Sequence, residues 1–195
     1  MENILKTLTL EDLSKIHILS FKKDTILFNE GDECSNISIV KDGKVNIVSY
    51  TLEGKEIIYR QLNEGEMFGN NLIFSSHPIY RGDVVAKTDG IIFMIEKDKL
   101  LAIMMSNKNF LEAYLSEASD FSIELNKDIK LLTFNNAEDR VLYLLSLSKN
   151  RLEYNSVTDL AKRLFLTREA TSRVLHKLEA EKLINIGPKV IVKQN

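Results

Sequence analysis

The chain has 195 residues, 44% hydrophobic and 28% charged, which describes an ordinary globular protein with room for one large domain or two modest ones. Its apolar runs, such as Ile91 to Ile95, are far too short to cross a bilayer, and no basic, apolar leader opens it, so no membrane partner and a cytoplasmic setting are expected. The net charge of −2 is uneven: residues 137–195 carry eleven Lys/Arg against seven Asp/Glu, or +4, which leaves −6 for residues 1–136 and points only the C-terminal part toward a polyanion.

Seven of the eight glycines lie between Gly31 and Gly90, where short β-rich runs alternate with turn signals. The tetrapeptides KDGK (41–44) and LEGK (52–55) are hairpin turns flanked by alternating apolar residues such as Ile37, Ile39, Val45 and Ile47. Strands at that spacing predict a β-sandwich or barrel, assigned to residues 1–97.

From Asp98 no glycine or proline interrupts the chain until Gly187, and a long helix is expected over residues 98–134. Leu111, Tyr114, Ala118, Phe121, Leu125 and Leu132 follow a 3-4 alternation, blurred at Asp128 and Ile129. The stripe could pack on the β domain, but so narrow a seam on so long a helix fits pairing with a second copy better. Phe134, Asn135 and Asn136 then break the pattern. NNAED (135–139) starts a new helix with an asparagine cap and acids in its first turn, which makes this junction the expected hinge.

In residues 135–195 the last third reads as a cap, a helix, a tight turn, a second helix and a hairpin. Asn155 or Ser156 caps VTDLAKRL (157–164), Thr167 caps a helix running to about Lys182, and INIGPKVIVK (184–193) makes two short strands around Gly187 and Pro188. That order is a winged helix-turn-helix.

The second of those helices carries the chemistry. At about 100° per residue, Arg168, Glu169, Ser172 and Arg173 fall at roughly 0°, 100°, 40° and 140°, all on one side, opposite Ala170, Val174 and Leu178. Arginine can donate two hydrogen bonds to guanine, glutamate accepts from the cytosine amino group, and serine fits either role or packs near a thymine methyl. A carboxylate near DNA phosphates is repelled, so Glu169 makes sense as a reader of bases rather than a backbone contact. Ser156, Thr167 and Lys177 are the candidate contacts to the DNA backbone.

On these residues the chain resembles the Crp/Fnr family of bacterial transcription regulators over nearly its whole length. TREATSR (167–173) is similar to the family's recognition motif: Glu169, Ser172 and Arg173 match the E-x-x-S-R form of the Fnr branch, and Arg168 adds the extra arginine of the Crp branch. FKKDTILFNEGDECSNISIVKDGKVNIV (21–48) and LNEGEMFGNNLIF (62–74) resemble the cyclic-nucleotide-binding β-roll. The resemblance implies an α+β protein with an N-terminal double-stranded, jelly-roll-like β-roll, a long dimerisation helix and the winged helix-turn-helix. It also implies a homodimer on a palindromic, TGTGA-like operator in double-stranded DNA, with RNA polymerase as partner if the protein activates. One position departs from the pattern: where the family often has glycine in the turn, this chain has Phe165, which would be strained at positive φ.

The effector site departs further. Nucleotide-binding members of the family use a Gly-Glu pair at a short helix start and an Arg-Ser or Arg-Thr pair after it. Here Gly69 is kept, Asn70 and Asn71 follow it, Tyr80 falls on the arginine position and Arg81 on the Ser/Thr one. These five residues form the candidate effector pocket, and the effector is expected to be something other than cyclic AMP. With Cys34 as the single cysteine, a disulfide, a four-cysteine iron–sulfur cluster and a cysteine zinc site are excluded. Haem would need His77, the one histidine near the pocket, and a solvated loop side chain is the plainer reading of it. The acidic neighbours Asp32 and Glu33 would raise the Cys34 pKa and slow any redox switching.

An enzyme is not expected. No two histidines lie within forty residues of each other, and no G-x-S-x-G, H-E-x-x-H, P-loop or G-x-G-x-x-G run occurs. A non-catalytic nucleotide-binding module acting on protein partners would explain the roll but would leave the Arg-Glu-Ser-Arg face without a purpose.

Overall fold

The computed structural model describes residues 4–54 and 56–194. Residues 1–3 and 195, at the ends of the two outer domains expected from sequence, and Lys55 of the LEGK turn lie outside the described residues. Two compact units divide the chain, Met1–Asp120 and Phe121–Asn195.

The first unit opens with a 3-10 turn, Ile4–Thr7, and a one-turn helix α1 (Leu10–Leu13), where Thr9 and Asp12 form a reciprocal capping box. Eight strands among the described residues follow: β1 (His17–Phe21), β2 (Ile26–Phe28), β3 (Asn36–Asp42), β4 (Val45–Tyr50), β5 (Glu56–Leu62), β6 (Met67–Phe68), β7 (Asp83–Ala86) and β8 (Gly90–Glu96). They make two antiparallel sheets, ordered β1-β8-β3-β6 and β2-β7-β4-β5. The KDGK turn joins β3 to β4 as its sequence requires. Gly43 sits at φ +88°, and a Cβ there would lie 2.6 Å from the Asp89 carbonyl oxygen, so no larger residue fits.

Strand β3 is buried on both faces. Val40 packs with Val45, Phe68, Val84 and Ile92 between the sheets, while Ile37 and Ile39 pack with Ile95, Leu100, Ile103 and Phe110. The last three come from α2 (Lys97–Ser106) and the start of α3 (Lys108–Thr133), which cover the outer face of the first sheet. The roll is therefore a three-layer core rather than a half-solvated sandwich.

The single helix expected over 98–134 is two helices, broken at Asn107 (φ −124°, ψ 94°). The cause is the Asn107 side chain. Its Oδ1 accepts from the Phe110 N–H at 3.0 Å, capping α3, while its Nδ2 donates to the Thr7 carbonyl and the Asp12 carboxylate at 2.8 and 2.7 Å.

The second unit begins within α3. It continues with α4 (Ala137–Leu147), β9 (Arg151–Glu153), α5 (Val157–Leu164), α6 (Arg168–Ala180), β10 (Ile184–Gly187) and β11 (Val190–Lys193). Asn136 caps α4 and Ser156 caps α5, each accepting a backbone N–H three residues on. The wing has three strands, β10-β11-β9, one more than the hairpin read from sequence. β9 is only three residues long, but it buries Leu152 against Ile191 and the helices. Helix α6 ends at Ala180 rather than Lys182, because Lys182 turns left-handed (φ +59°) and the Leu183 N–H bonds back to the Leu178 carbonyl.

Candidate nucleic-acid interface and effector pocket

Helix α6 is fixed from beneath. Val174, Leu175 and Leu178 are buried with Leu144, Leu145, Leu160 and Leu164, and the fully buried Thr171 donates its hydroxyl to the Thr167 carbonyl at 2.9 Å. Thr167 caps the helix, its Oγ1 accepting from the Ala170 N–H at 3.1 Å. The opposite face is bare. Arg168, Glu169 and Arg173 are exposed, Ser172 is half-buried, and among the described residues none of their side chains has a hydrogen-bond or ion-pair partner. His176, exposed at roughly 80° on the same wheel, joins this face. Sequence reasoning gave it no role, although the same angular count would have found it.

Of the three backbone candidates, Ser156 and Thr167 hold helix caps, which leaves their hydroxyls at the starts of α5 and α6. Lys177 is different. It lies at roughly 180°, on the edge of that face beside Arg173, and its ammonium meets the Glu138 carboxylate of α4 at 2.6 Å. It braces α6 against α4 instead of extending the bare face. Phe165 occupies the turn between α5 and α6 at φ 54°, ψ 44°, the left-handed conformation that glycine adopts freely and phenylalanine only at a steric cost.

Along α3 the apolar stripe is shifted from the one read in sequence. Tyr114 is 5% exposed and lies in the core of the first unit, where its hydroxyl donates to the Asn70 carbonyl at 3.0 Å and burial pushes its pKa up to about 12. Phe121 is half-buried. The exposed large apolar residues of α3 are Leu115, Ile123, Leu125, Ile129 and Leu132. With Leu111, Ala118 and Ser122, all of these but Ile123 follow steps of 4, 3, 4, 3, 4 and 3, a more regular heptad than Tyr114 and Phe121 allowed.

The candidate effector pocket is not assembled as an anion site. Gly69 makes a close turn (φ +80°), with the Asn36 carbonyl and the Cys34 sulfur where a Cβ would go. Tyr80 is 3% exposed, stacked on Phe28 with ring centroids 4.9 Å apart. Its hydroxyl has no partner of normal hydrogen-bond geometry, and burial together with the adjacent Cys34 raises its pKa far above the usual phenol value. Asn71 and Arg81 are exposed, and the nearby Asp83 accepts the Glu30 N–H at 2.7 Å. The residue expected at the arginine position is thus a buried phenol. Burial also pushes the Cys34 thiol up, while its S–H donates to the Asn36 carbonyl at 3.2 Å. His77 is exposed beside Ser76.

A groove of about 870 Å³ in the first unit lies elsewhere, between the 3-10 turn, the β5–β6 loop and α3. Glu64, Glu66, Glu112, Glu117 and Asp120 outweigh Lys6 along its walls. Burial raises the Glu117 pKa, opposed by the Met67 N–H it accepts and by the Arg60 guanidinium at 3.8 Å. Sequence reasoning did not anticipate it, since its walls come from segments far apart in the chain. Among the described residues no cluster of His, Cys, Asp and Glu is placed to hold a metal, and no helix is long and apolar enough to cross a membrane.

Comparison with known proteins agrees with this architecture. The cyclic nucleotide-binding domain family matches residues 18–107. The cyclic AMP receptor protein of Thermus thermophilus is 26% identical over 83% of this chain and 76% of its own length. The anaerobic regulatory protein of Bacillus subtilis is 25% identical over 85% and 74%. The crystal structure of the Thermus thermophilus catabolite activator protein superposes with a TM-score of 0.57 at 24% identity, covering 99% of this chain and 94% of that one, which shows the shared fold. With a cyclic nucleotide-binding domain match over residues 18–107 and relatives named as a cyclic AMP receptor protein and an anaerobic regulatory protein, the chain is similar to regulators of the Crp/Fnr type.

Proposed function

We propose that the protein is a sequence-specific DNA-binding transcriptional regulator, acting in the cytoplasm as a homodimer on a palindromic operator with TGTGA-like half-sites. In this reading, residues 1–97 form the sensor, residues 98–134 supply the dimerisation helices and residues 135–195 bind DNA. The observation that carries it is the bare face of α6. Two guanidinium groups and a carboxylate stand exposed, with a half-buried hydroxyl between them, all without partners among the described residues, on a helix whose other side is locked into a core. Leaving such groups unpaired gains nothing for the isolated chain, whereas base edges in the major groove match them group for group.

Arg168 and Arg173 pair with guanines, Glu169 with a cytosine amino group, and Ser172 packs or bonds between them. The heptad Leu111, Leu115, Ala118, Ser122, Leu125, Ile129 and Leu132 supports pairing of two α3 helices, and half-sites about 34 Å apart would let both α6 helices engage. Among the described residues no cluster of His, Cys, Asp and Glu is placed for metal-assisted catalysis. The effector, acting through the roll, is something other than cyclic AMP, because Tyr80 fills the guanidinium position. RNA polymerase is the partner if the protein activates transcription.

The test is base preference. Binding of the wild type and of Glu169→Ala is measured against operators carrying each of the four base pairs at one half-site position in turn. The variant should lose about 1–3 kcal/mol of discrimination at a single position and keep it elsewhere. Unchanged preference at every position removes the reading role of Glu169. A protein that binds no duplex at any salt concentration is instead a docking module for protein partners.

A further inference from the structure

Arg140, in the first turns of α4, spends its whole guanidinium on backbone carbonyls. Nε and Nη2 donate to the Phe134 carbonyl at 3.4 and 3.2 Å, and Nη1 donates to the Leu164 and Phe165 carbonyls at 3.2 and 3.1 Å. Phe134 is the first residue after α3. Leu164 ends α5, and Phe165 is the left-handed residue of the turn that leads into α6. One side chain therefore joins the end of the long helix to the turn that sets the direction of the recognition helix.

The chemistry suits arginine alone. Helix ends leave their last carbonyls without intrahelical donors and carry partial negative charge, so a cation is favoured at the ends of α3 and α5. Three carbonyls on two separate segments demand a planar fork with several fixed donors. Lysine is a single charged point on a flexible stem and cannot span them. The turn also needs holding. Phe165 lies in the left-handed region against its own preference, and its side chain is 44% exposed, so packing alone does not fix it.

We propose that Arg140 is a positioning residue for DNA recognition, a clamp that passes any movement at the α3–α4 junction to the α5–α6 turn and so to the face bearing Arg168, Glu169 and Arg173. The role rests on the DNA-reading assignment above. Without the clamp, α6 keeps its core contacts but loses its fixed exit from the turn, so specific binding suffers more than non-specific binding, which depends on charge alone.

The experiment compares wild type, Arg140→Ala and Arg140→Lys in titrations against operator and unrelated duplex at one salt concentration. Thermal melts and amide hydrogen exchange at Leu166 and Thr167 are recorded alongside. Arg140→Ala should lose tenfold or more in operator affinity with less than threefold change on unrelated duplex, and the turn amides should exchange faster. Arg140→Lys should keep the melting temperature close to wild type yet recover little of the specificity ratio. An unchanged ratio in Arg140→Lys overturns the proposal, as does failure of both variants to fold, which would mark Arg140 as purely structural. A wild type that ignores duplex altogether removes the DNA-reading assignment first, and the clamp's role with it.

Discussion

The β-roll and the recognition helix carry comparable polar groups and treat them in opposite ways. At the roll, Tyr80 is turned inward, stacked on Phe28, and its hydroxyl goes without a proper partner. On α6, Arg168, Glu169 and Arg173 are turned outward over a core of Val174, Leu175 and Leu178 that holds the helix rigid. Under the proposed function, the first arrangement leaves no guanidinium for a cyclic phosphate and the second offers its polar groups to a duplex, because a scaffold needs only apolar volume, whereas a site needs particular atoms.

The largest test of that difference places at Tyr80 the arginine that the resemblance leads one to expect there. Tyr80→Arg would bury a guanidinium against Phe28 and Cys34 with no carboxylate to receive it, and should cost about 3–5 kcal/mol in urea unfolding. Tyr80→Phe, which removes only the unpartnered hydroxyl, should be neutral or stabilising. If Tyr80→Arg were as stable as wild type, and bound a cyclic nucleotide, the roll would be an ordinary nucleotide site after all.

A smaller effect sits at the open end. Phe165→Gly relieves the left-handed strain of the turn and should raise stability by about 1 kcal/mol in the same assay. A loss of stability would mean that the ring's packing outweighs the backbone strain.

The smallest effect is pH-dependent. Burial raises the Glu117 pKa above its model-peptide value of 4.5, so folding is disfavoured by the ionised carboxylate. That cost is absent below the unfolded-state pKa, grows as pH rises through 4.5 toward the raised value, and is fully present at neutral pH. Glu117→Gln should therefore be slightly more stable than wild type at pH 7 and equal to it near pH 3. A variant less stable at pH 7 would show that the Arg60 and Met67 contacts outweigh the burial.

How much of this was legible in sequence follows from how local each feature is. KDGK, the Asn136 and Thr167 caps and the angular grouping on α6 depend on a few adjacent residues, and their physics is written in short windows. The helix break at Asn107 was hidden because its cause, bonds to Thr7 and Asp12, lies about a hundred residues away. Tyr114 fitted a heptad in sequence, but the roll claimed it for its own core and moved the exposed stripe onto Leu115 and Ile129. Lys177 looked free until α4 supplied Glu138, and β9 was too short to announce itself before β11 paired with it. The left-handed turn at Phe165 was foreseeable from the glycine it replaces. That Arg140 would gather its carbonyls was not, since three segments had to meet first.

The central claim, that α6 reads duplex DNA, is tested most directly by titrating the protein onto a palindromic duplex over a range of salt concentrations, alongside a variant carrying Arg168→Ala and Arg173→Ala. The account predicts wild-type affinity that falls linearly in log–log form as salt rises, with the doubly substituted protein at least about a hundredfold weaker on the operator and shifted far less on random duplex. Equal affinity of the two proteins for the operator, or no salt-dependent binding by the wild type, would contradict it.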